Sequence, residues 1–497
     1  MKFSPPSWLL YSLLIPALLG MIFIGSRAGN ALSMGGNEGM ELSRALLLSE
    51  RPAAVARVEH DQPWLYPKLL SAGFKMFGPS AATARLFSLV SATAMLLALG
   101  RLLFQAVGGL GSLLAGILLF STQGMLSLSL AALPGLPAIA WAVVAVAFSY
   151  NPSHPPNWKK LAISGAVWAC AIHIQLTALI VWPAFVALAF RQWGWKSAGI
   201  CLCPWGIGFV TAFLMLALPS PTFDWKLLSK PVWNQSGFHW SALWLNPGLL
   251  SAASLGVWLT VRRKAPAPLL FASVWFATVA LLAGMWGAWP EQDIGHFYVP
   301  LAILGSAGFA ATVAGALAEL RPASNQSTDN GTIRFHDRNG LNALGAITIF
   351  AFWVGFTVPD FVSDLTRLNH LPSVKHDGLC LSIREHAQAT RWCYTRFPEY
   401  AFAGSVIIPP ELTALPAPEW LERHPASEPA LALAQKYQPE QLLLAGDVEM
   451  HNPAWAAWTT NHYVLVDQDG QKELWVSRRL QPKQIQPSND LLRKLGL

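Results

Sequence analysis

The sequence predicts an α-helical polytopic membrane protein with about eleven transmembrane helices and a small C-terminal α/β extracytoplasmic domain. Hydrophobic residues make up 53% of its 497 residues and charged residues only 12%, with a mean hydropathy of +0.38. Soluble domains carry roughly 25% charged residues, so much of this chain must lie in lipid. Apolar runs long enough to cross a bilayer recur from residue 8 to about residue 317 and again over 341–358.

The first apolar run, "WLLYSLLIPALLGMIFIG", predicts a retained helix. No small-residue cleavage site follows it cleanly, and many further spans come after it. The net charge of +7 comes from basic residues scattered between apolar runs, with no basic stripe interleaved with aromatic residues. This pattern predicts membrane topology and excludes a nucleic-acid partner.

Lysine and arginine in short loops mark the cytoplasmic side of a membrane protein. If the marked loops share one side, the apolar segment 161–190 must break near His173 into two short spans. The N-terminus is then cytoplasmic, the C-terminus is outside, and the outer loops include 27–83, 220–245 and 287–297. The marking residues are Lys2, Arg101, Lys159, Lys160, Arg191, Lys196, the "RRK" at 262–264 and the basic residues of 321–338.

The outer loop 27–83 carries a cluster of acids in a chain otherwise poor in charge. Its residues 40–47 and 65–77 alternate apolar and polar side chains in a way that predicts helices lying in the membrane interface, apolar face down. Glu38 and Asp61 stand near the starts of these helices, where the helix dipole favours a carboxylate. Glu38 and Asp61 could therefore be helix caps, or they could be reactive acids, and this position is consistent with both roles.

After Asp360 the apolar spans stop. The stretches "SVII", "QLLLAG" and the hairpin-like "HYVLVDQDGQKELWVSRR", with its Asp469-Gly470 turn signal, alternate with the helical "ASEPALALAQKY". The sequence therefore divides into a membrane domain, 1–358, and an outer α/β domain, 359–497, for which an accessory role is expected. Cys380 and Cys393 fit either a disulfide or two free thiols, and the cysteine spacing does not indicate a zinc site.

Four stretches around the long outer loop follow one another in a recognisable order: Asn37-Glu38, "HDQPWLYPKLL", "KMFGPS", and "TARLFS" with Arg85. They resemble the polyprenyl-phosphate-dependent glycosyltransferases of the C-type superfamily, which includes protein O-mannosyltransferases and lipid A aminoarabinose transferases. The similarity is densest over 35–101 and continues through "ALPGLPAIAWAVVAV", "HIQLTALIVWP" and "HFYVPLAIL". It implies an inner-membrane enzyme that moves a sugar, with inversion, from a polyprenyl-phosphate donor to a hydroxyl of an envelope acceptor on the outer face.

Sugar transfer from a lipid phosphate needs a base for the acceptor proton and cations for the leaving phosphate. In this chain Asn37 stands where the family has an aspartate, so the resemblance implies Glu38 as the catalytic base and Asp61 as a second acid that orients the acceptor. A divalent cation bound by loop acids is possible, but the sequence fixes no ligand set. The expected substrate-binding residues are Asn37, His60, Arg85, His173, Gln175, His296 and Tyr298.

Structural roles compete with these assignments. Arg85 can snorkel to lipid headgroups, and His296 can be a satisfied interfacial histidine. His173 and Gln175 sit at the expected helix break, where polar groups tend to face a cavity. Two other functions stay open. One is a transporter, although the sequence shows no internal repeat of the kind that many transporters have. The other is a catalytically degenerate scaffold, which the replacement of the family's aspartate by Asn37 favours.

Overall fold

The computed structural model describes residues 7–34, 38–55, 64–150, 157–217, 247–262, 266–286, 291–320, 339–414 and 427–480. Helices dominate these ranges, and a small sheet lies near the C-terminus. Within the described ranges, three segments are long and apolar enough to cross a membrane, namely Ala81–Phe104, Leu176–Ala217 and Ala267–Met285. The predicted fold class is therefore confirmed as a helical membrane protein with a small α/β region, while the number of about eleven spans stays a prediction.

The membrane part consists mainly of helices. In chain order they are α1 (Ser7–Gly25), α2 (Glu38–Glu50), α3 (Pro52–Val55), α4 (Leu65–Phe77), α5 (Ala81–Phe120), α6 (Met125–Leu130), α7 (Gly135–Ser149), α8 (Trp158–Ile174), α9 (Trp182–Ala217), α10 (Pro247–Arg262), α11 (Ala267–Trp286), α12 (Gly295–Leu320) and α13 (Asn339–His370). Short 3-10 helices at Arg27–Asn30, Leu176–Val181 and Glu291–Asp293 join some of them.

Helix α5 is two helices joined at Gly108, whose φ of 78° is readily adopted only by glycine. The Ser112 hydroxyl donates to the Gly100 carbonyl at 3.2 Å, although the two residues are twelve apart in sequence. The second half of α5 must therefore fold back along the first. Helix α1 packs against both halves, since a Cβ on Gly100 would lie 1.7 Å from Ser12 Oγ and one on Gly116 3.1 Å from Ile15 Cγ1.

The predicted break near His173 is present. Helix α8 ends at Ile174, and Gln175 has an extended backbone (φ −158°, ψ 136°) before the next 3-10 helix begins. Helix α9 then bends at Gly194, and its second half runs alongside α8, where the rings of His173 and Phe213 are 4.6 Å apart. Two short helices therefore replace the single long one that the apolar run 161–190 could have formed.

The C-terminal region is a small α/β unit. Its strands form a sheet in the order β1-β2-β4-β3, with β1 parallel to β2 and the other neighbours antiparallel. The predicted hairpin is β3–β4, turning at Gly470 with φ 58°. The elements are α14 (Gly378–Glu385), β1 (Cys393–Thr395), α15 (Pro398–Ala403), α16 (Pro410–Ala414), α17 (Glu428–Tyr437), β2 (Gln441–Ala445), α18 (Pro453–His462), β3 (Tyr463–Asp469) and β4 (Lys472–Ser477).

One expected strand does not form. The "SVII" stretch, 405–408, belongs to no strand, and the bond from Cys393 N–H to the Ile407 carbonyl at 2.8 Å is its described backbone bond to the sheet. Ser405 has φ 60°, which breaks the extended conformation at the start of the stretch, and two prolines follow its end. The prediction of a strand here is wrong for these local reasons.

Helix α2 lies between the membrane helices and the C-terminal unit. Its residues 38–47 are buried on every side, including polar Ser43 and Arg44. Ser43 Oγ donates to the Pro398 carbonyl at 3.1 Å, and Arg44 Nε donates to the Thr413 carbonyl. The prediction that α2 rests on the interface with one face in water is therefore wrong, because the C-terminal unit covers that face.

Helix α4 is buried on one side, and its place in the membrane interface stays a prediction. Tyr66, Leu70 and Phe74 are buried against the protein, whereas Met76 and Phe77 are 74% and 72% exposed.

Helix α13 is the last helix of the membrane part. It runs through the predicted domain boundary at 358/359 and ends at His370.

Candidate active site

Glu38, the first residue of α2, forms a bidentate ion pair with Arg85 of α5. Arg85 Nε donates to Glu38 Oε1 at 2.8 Å, and its Nη2 donates to Oε2 at 2.7 Å. Both side chains are completely buried. Two parallel charge-assisted bonds are a strong and directional geometry, so the pair ties the start of α2 to α5.

Backbone groups complete the pair on both sides. The carboxylate accepts the Met34 N–H at Oε2 and the Ala132 N–H at Oε1, each at 2.7 Å. The guanidinium Nη1 donates to the carbonyls of Ala28 and Ala31, the latter at 3.0 Å. The pair therefore holds three separate pieces of chain together: the loop after α1, the start of α2 and the connection between α6 and α7.

This saturation bears on the roles predicted for both residues. A carboxylate offers about four acceptor sites, and the four bonds described occupy that number at Glu38. Taking a proton from an acceptor hydroxyl would require one of these bonds to open, and Arg85 would likewise have to leave its partners to reach a phosphate. The base role of Glu38 and the phosphate role of Arg85 stay predictions, and the contacts support a positioning role for the pair.

A second buried carboxyl lies where two helix breaks meet. Asp293 ends the 3-10 helix before α12 and is 1% exposed. Thr177 Oγ1 donates to its Oδ1 at 3.1 Å, and Gln175 Nε2 donates to its Oδ2 at 3.2 Å. Burial raises the pKa of the Asp293 carboxyl to about 7, although the bonds from Thr177 and Gln175 favour its ionised form.

The connection between α6 and α7, residues 131–134, leads from a contact with Glu38 to a contact with Asp293. Ala132 contacts Glu38 through its N–H. Three residues later, a Cβ on Gly135 would lie 2.2 Å from the Gln292 carbonyl oxygen and 3.2 Å from Asp293 Oδ1. Three extended residues span at most about 11 Å, so the Glu38–Arg85 pair and Asp293 flank the same short piece of chain.

The other predicted site residues have separate surroundings. His173 Nε2 lies 3.2 Å from the Phe213 carbonyl, and the His296 ring meets the Trp275 ring edge-on at 5.9 Å between centroids. Tyr298 is buried on α12, in electrostatic range of acids on α13. Only Gln175 joins the Asp293 cluster among these four. Asn37, His60 and Asp61 lie outside the described residues.

Sequence reasoning missed Asp293. The loop that contains it was expected on the outer side, and only its His296 was selected. The available signal was an acid three residues before a histidine at the start of a late span, in "EQDIGHFY". Asp364 of α13 makes a structural contact, since it accepts the Gly124 N–H at 2.8 Å beside the start of α6.

Among the described residues, no group of three or more His, Cys, Asp or Glu side chains is placed to hold a metal ion. The possible divalent cation stays an expectation of the sequence. Asp61 is the predicted loop acid that such a cation would most concern, and it lies outside the described residues.

The fold that the sequence resemblance implies is confirmed by two similar solved structures. The chain is similar to ArnT from Cupriavidus metallidurans bound to undecaprenyl phosphate, with a TM-score of 0.64, 13% identity, and coverage of 94% of this chain and 98% of that chain. It is also similar to the archaeal oligosaccharyltransferase AglB from Archaeoglobus fulgidus in complex with an inhibitory peptide and a dolichol-phosphate, with a TM-score of 0.57, 11% identity, and coverage of 95% and 75%. No family model and no curated protein matches the sequence.

Proposed function

We propose that this protein transfers a sugar from a polyprenyl-phosphate donor to a hydroxyl group of an envelope acceptor on the outer face of the membrane, with inversion. The observation that carries the proposal is a fold shared over 94% of the chain with ArnT, whose crystal structure has undecaprenyl phosphate bound. At 13% identity this likeness concerns the fold, so the motifs must supply the rest. They do so in order, from Asn37-Glu38 to Arg85.

The buried polar groups support a reaction centre beside the loop after α1. The Glu38–Arg85 pair fixes the start of α2, which follows Asn37 directly. Asn37 directly precedes Glu38 in the sequence, and Asn37, His60 and Asp61 all lie outside the described residues. A fixed helix start can position reacting groups, and correct positioning is a large part of the catalysis of group transfer.

Each predicted group has a defined task in this reaction. A carboxylate takes the proton of the acceptor hydroxyl as its oxygen attacks the anomeric carbon, which is worth about 10²–10⁴ in rate. Basic side chains such as His296 and Arg85 would stabilise the phosphate that leaves with the electron pair of the broken bond. Gln175 and Tyr298 would contact sugar or acceptor hydroxyls.

The first test is donor recognition. Protein reconstituted in lipid nanodiscs is titrated with undecaprenyl phosphate or with undecaprenol, which lacks the phosphate, and thermal stability is followed. A ligand that binds the folded state at 100 times its Kd raises stability by about 2.7 kcal/mol, so the phosphate lipid should raise Tm and the alcohol should not. Equal shifts of Tm with both lipids would indicate that only the prenyl hydrocarbon chain of the lipid is bound, and would contradict a phosphate site.

The second test is turnover. A panel of polyprenyl-phosphate sugars is offered to the reconstituted protein with envelope lipids, glycans and proteins as acceptors, and products are identified by mass spectrometry. Transfer from one donor is expected. Binding of the phosphate lipid without transfer from any donor would favour the catalytically degenerate scaffold, the alternative that Asn37 in the family's aspartate position supports.

A further inference from the structure

The Asp293 carboxyl lies where two helical segments end: α8 ends at Ile174, and a 3-10 helix ends at Asp293 itself. On one side, α8 stops at Ile174, and the polar side chains of Gln175 and Thr177 turn toward the acid. On the other side, the 3-10 helix that ends at Asp293 passes the first residue of α7 so closely that only glycine fits at position 135. Breaks in a membrane helix that expose polar groups are costly and recur at functional sites.

The geometry orients the carboxyl through both of its oxygens. Thr177 donates to Oδ1 and Gln175 donates to Oδ2, each through a neutral group. The carboxyl also lies beside the N-terminus of α7, where the helix dipole favours its ionised form. These two contacts fix the direction of the carboxylate.

Gln175 also presents an acceptor at the same place. Its Oε1 is buried and has no hydrogen-bond partner within the part of the chain that the structure describes. A buried amide oxygen left without a donor costs about 1–3 kcal/mol. A hydroxyl group beside Asp293 would satisfy it, because a polyhydroxy compound offers a donor for Gln175 as well as one for the acid.

We infer that Asp293 is the group that takes the proton of the acceptor hydroxyl, with Gln175 and Thr177 as positioning residues; this inference rests on the proposed function. The acceptor oxygen forms a bond to the anomeric carbon of the donor sugar, and its proton passes to an Asp293 oxygen. The bond between that carbon and the phosphate oxygen breaks, and its electron pair leaves with the polyprenyl phosphate. The Glu38–Arg85 pair contacts the same connection at Ala132 and holds it in position.

The acidity of Asp293 suits this task. Burial raises its pKa to about 7, so near neutral pH the carboxyl is partly ionised and retains affinity for a proton, as an effective general base requires. The side chains that contact it from the helix break, Gln175 and Thr177, do not titrate, and Gly135 has no side chain. Glu291 and His296 are titratable residues on the same stretch of chain as Asp293.

The decisive variant is Asp293→Asn. Asparagine keeps the shape of the side chain and can accept from Thr177 through Oδ1. The Gln175 amide can turn so that its Oε1 accepts from the new Nδ2, so the contacts survive while the proton acceptor is lost. We expect kcat to fall about 10²-fold or more, with the KM for the donor within about 3-fold of the wild-type value. Asp293→Glu, which restores a carboxylate, should recover part of the rate.

Asp364→Asn is the matched control, because it neutralises another buried aspartate whose known bond, from the Gly124 N–H, an asparagine can accept. Its rate should remain close to that of the wild type. In the wild type, kcat should fall as pH drops below about 7, and the small residual rate of Asp293→Asn should lack this limb.

The possible outcomes separate the two proposals. If wild-type protein transfers no sugar from any donor of the panel, the proposed function is wrong and the inference falls with it. If the wild type is active and Asp293→Asn turns over equally fast, only the inference is wrong. If Asp293→Asn loses the stabilisation by undecaprenyl phosphate together with its activity, Asp293 is a structural residue and the inference is also wrong.

Discussion

Glu38 and Arg85, which are 47 residues apart in sequence, meet through two hydrogen bonds of 2.8 and 2.7 Å in a site from which water is excluded. Removing two charges from water is costly, and the backbone bonds at both ends of the pair offset part of that cost. A pair of this kind is sensitive to the loss of one partner, since the other charge is then left buried alone.

Replacing either partner should therefore destabilise the protein strongly. We expect Glu38→Gln and Arg85→Met each to lower the free energy of unfolding by about 3–5 kcal/mol, and the double variant to lose less than the sum. Thermal unfolding in detergent measures this. The exposed pair Lys436–Glu411, at 2.6 Å, is the control: Lys436→Met should cost at most about 1 kcal/mol. Wild-type stability of Glu38→Gln would contradict the positioning role.

The packing of α2 against the C-terminal unit depends on Gly39. A Cβ at this position would lie 2.5 Å from the Glu399 backbone nitrogen, and backbone cannot move aside as a flexible side chain can. We expect Gly39→Ala to destabilise the protein and to reduce activity, because α2 also carries Glu38. Stability and transfer rate measured on the same preparation test this.

Gly20→Ala provides the control for Gly39→Ala. Gly20 is also helical, but no atom of the described structure lies within 4 Å of its added Cβ. Alanine is favoured over glycine in a helix by about 1 kcal/mol, so this variant should be neutral or more stable. Equal behaviour of the two variants would show that contact with Glu399 does not limit the packing of α2.

The features that the sequence predicted correctly have local signals. The first helix follows from an unbroken apolar run, the β3–β4 hairpin from Asp469-Gly470 between alternating residues, and the break near His173 from the charges at both ends of one apolar segment. Each of these signals lies within a few tens of residues. Secondary structure and part of the topology were therefore accessible without any knowledge of tertiary contacts.

The features that the sequence did not reveal depend on distant partners. The sequence predicts helix α2 in the membrane interface, because Pro398, the residue that contacts Ser43, lies 355 positions further on and leaves no local signal. Asp293 carried no local signal strong enough to select it, since its donors Gln175 and Thr177 precede it by 118 and 116 positions. Spacing within one loop cannot indicate such pairings.

The two cysteines of the C-terminal unit should be unreactive. Cys380 and Cys393 are buried free thiols, and burial raises the pKa of each to about 12. The thiolate is the reactive form, so a thiol reagent should reach these two cysteines only after denaturation. Mass spectrometry of peptides labelled before and after denaturation measures this, and an unchanged Tm under reducing agent would agree with free thiols.

The orientation in the membrane remains a prediction from the charges of short loops. Single cysteines introduced in 220–245 should react with an impermeant thiol reagent from outside the cell, and cysteines in 262–264 should react only after permeabilisation. The assay is done in a background with Cys203 replaced by serine. Labelling with the reverse sidedness would place the N-terminus outside and remove the proposed site from the outer face.

The stability of the protein should depend on pH through Asp293. Its pKa is raised from 3.8 to about 7 on folding, so the proton is bound more tightly in the folded state. The corresponding stabilisation is complete below about pH 4 and is lost as pH rises through 7, because the ionised carboxylate is then buried. Asp293→Asn carries no such charge. The stability of the wild type relative to this variant should therefore decrease between pH 5 and pH 8, by at most about 1.4 kcal/mol per pH unit. Thermal unfolding of both proteins at several pH values measures the difference.

Two outcomes are informative. If Asp293→Asn is more stable than the wild type at pH 8 and yet transfers sugar more slowly, Asp293 is a reactive acid and not a structural one. If the difference in stability does not depend on pH, Asp293 does not titrate in this range.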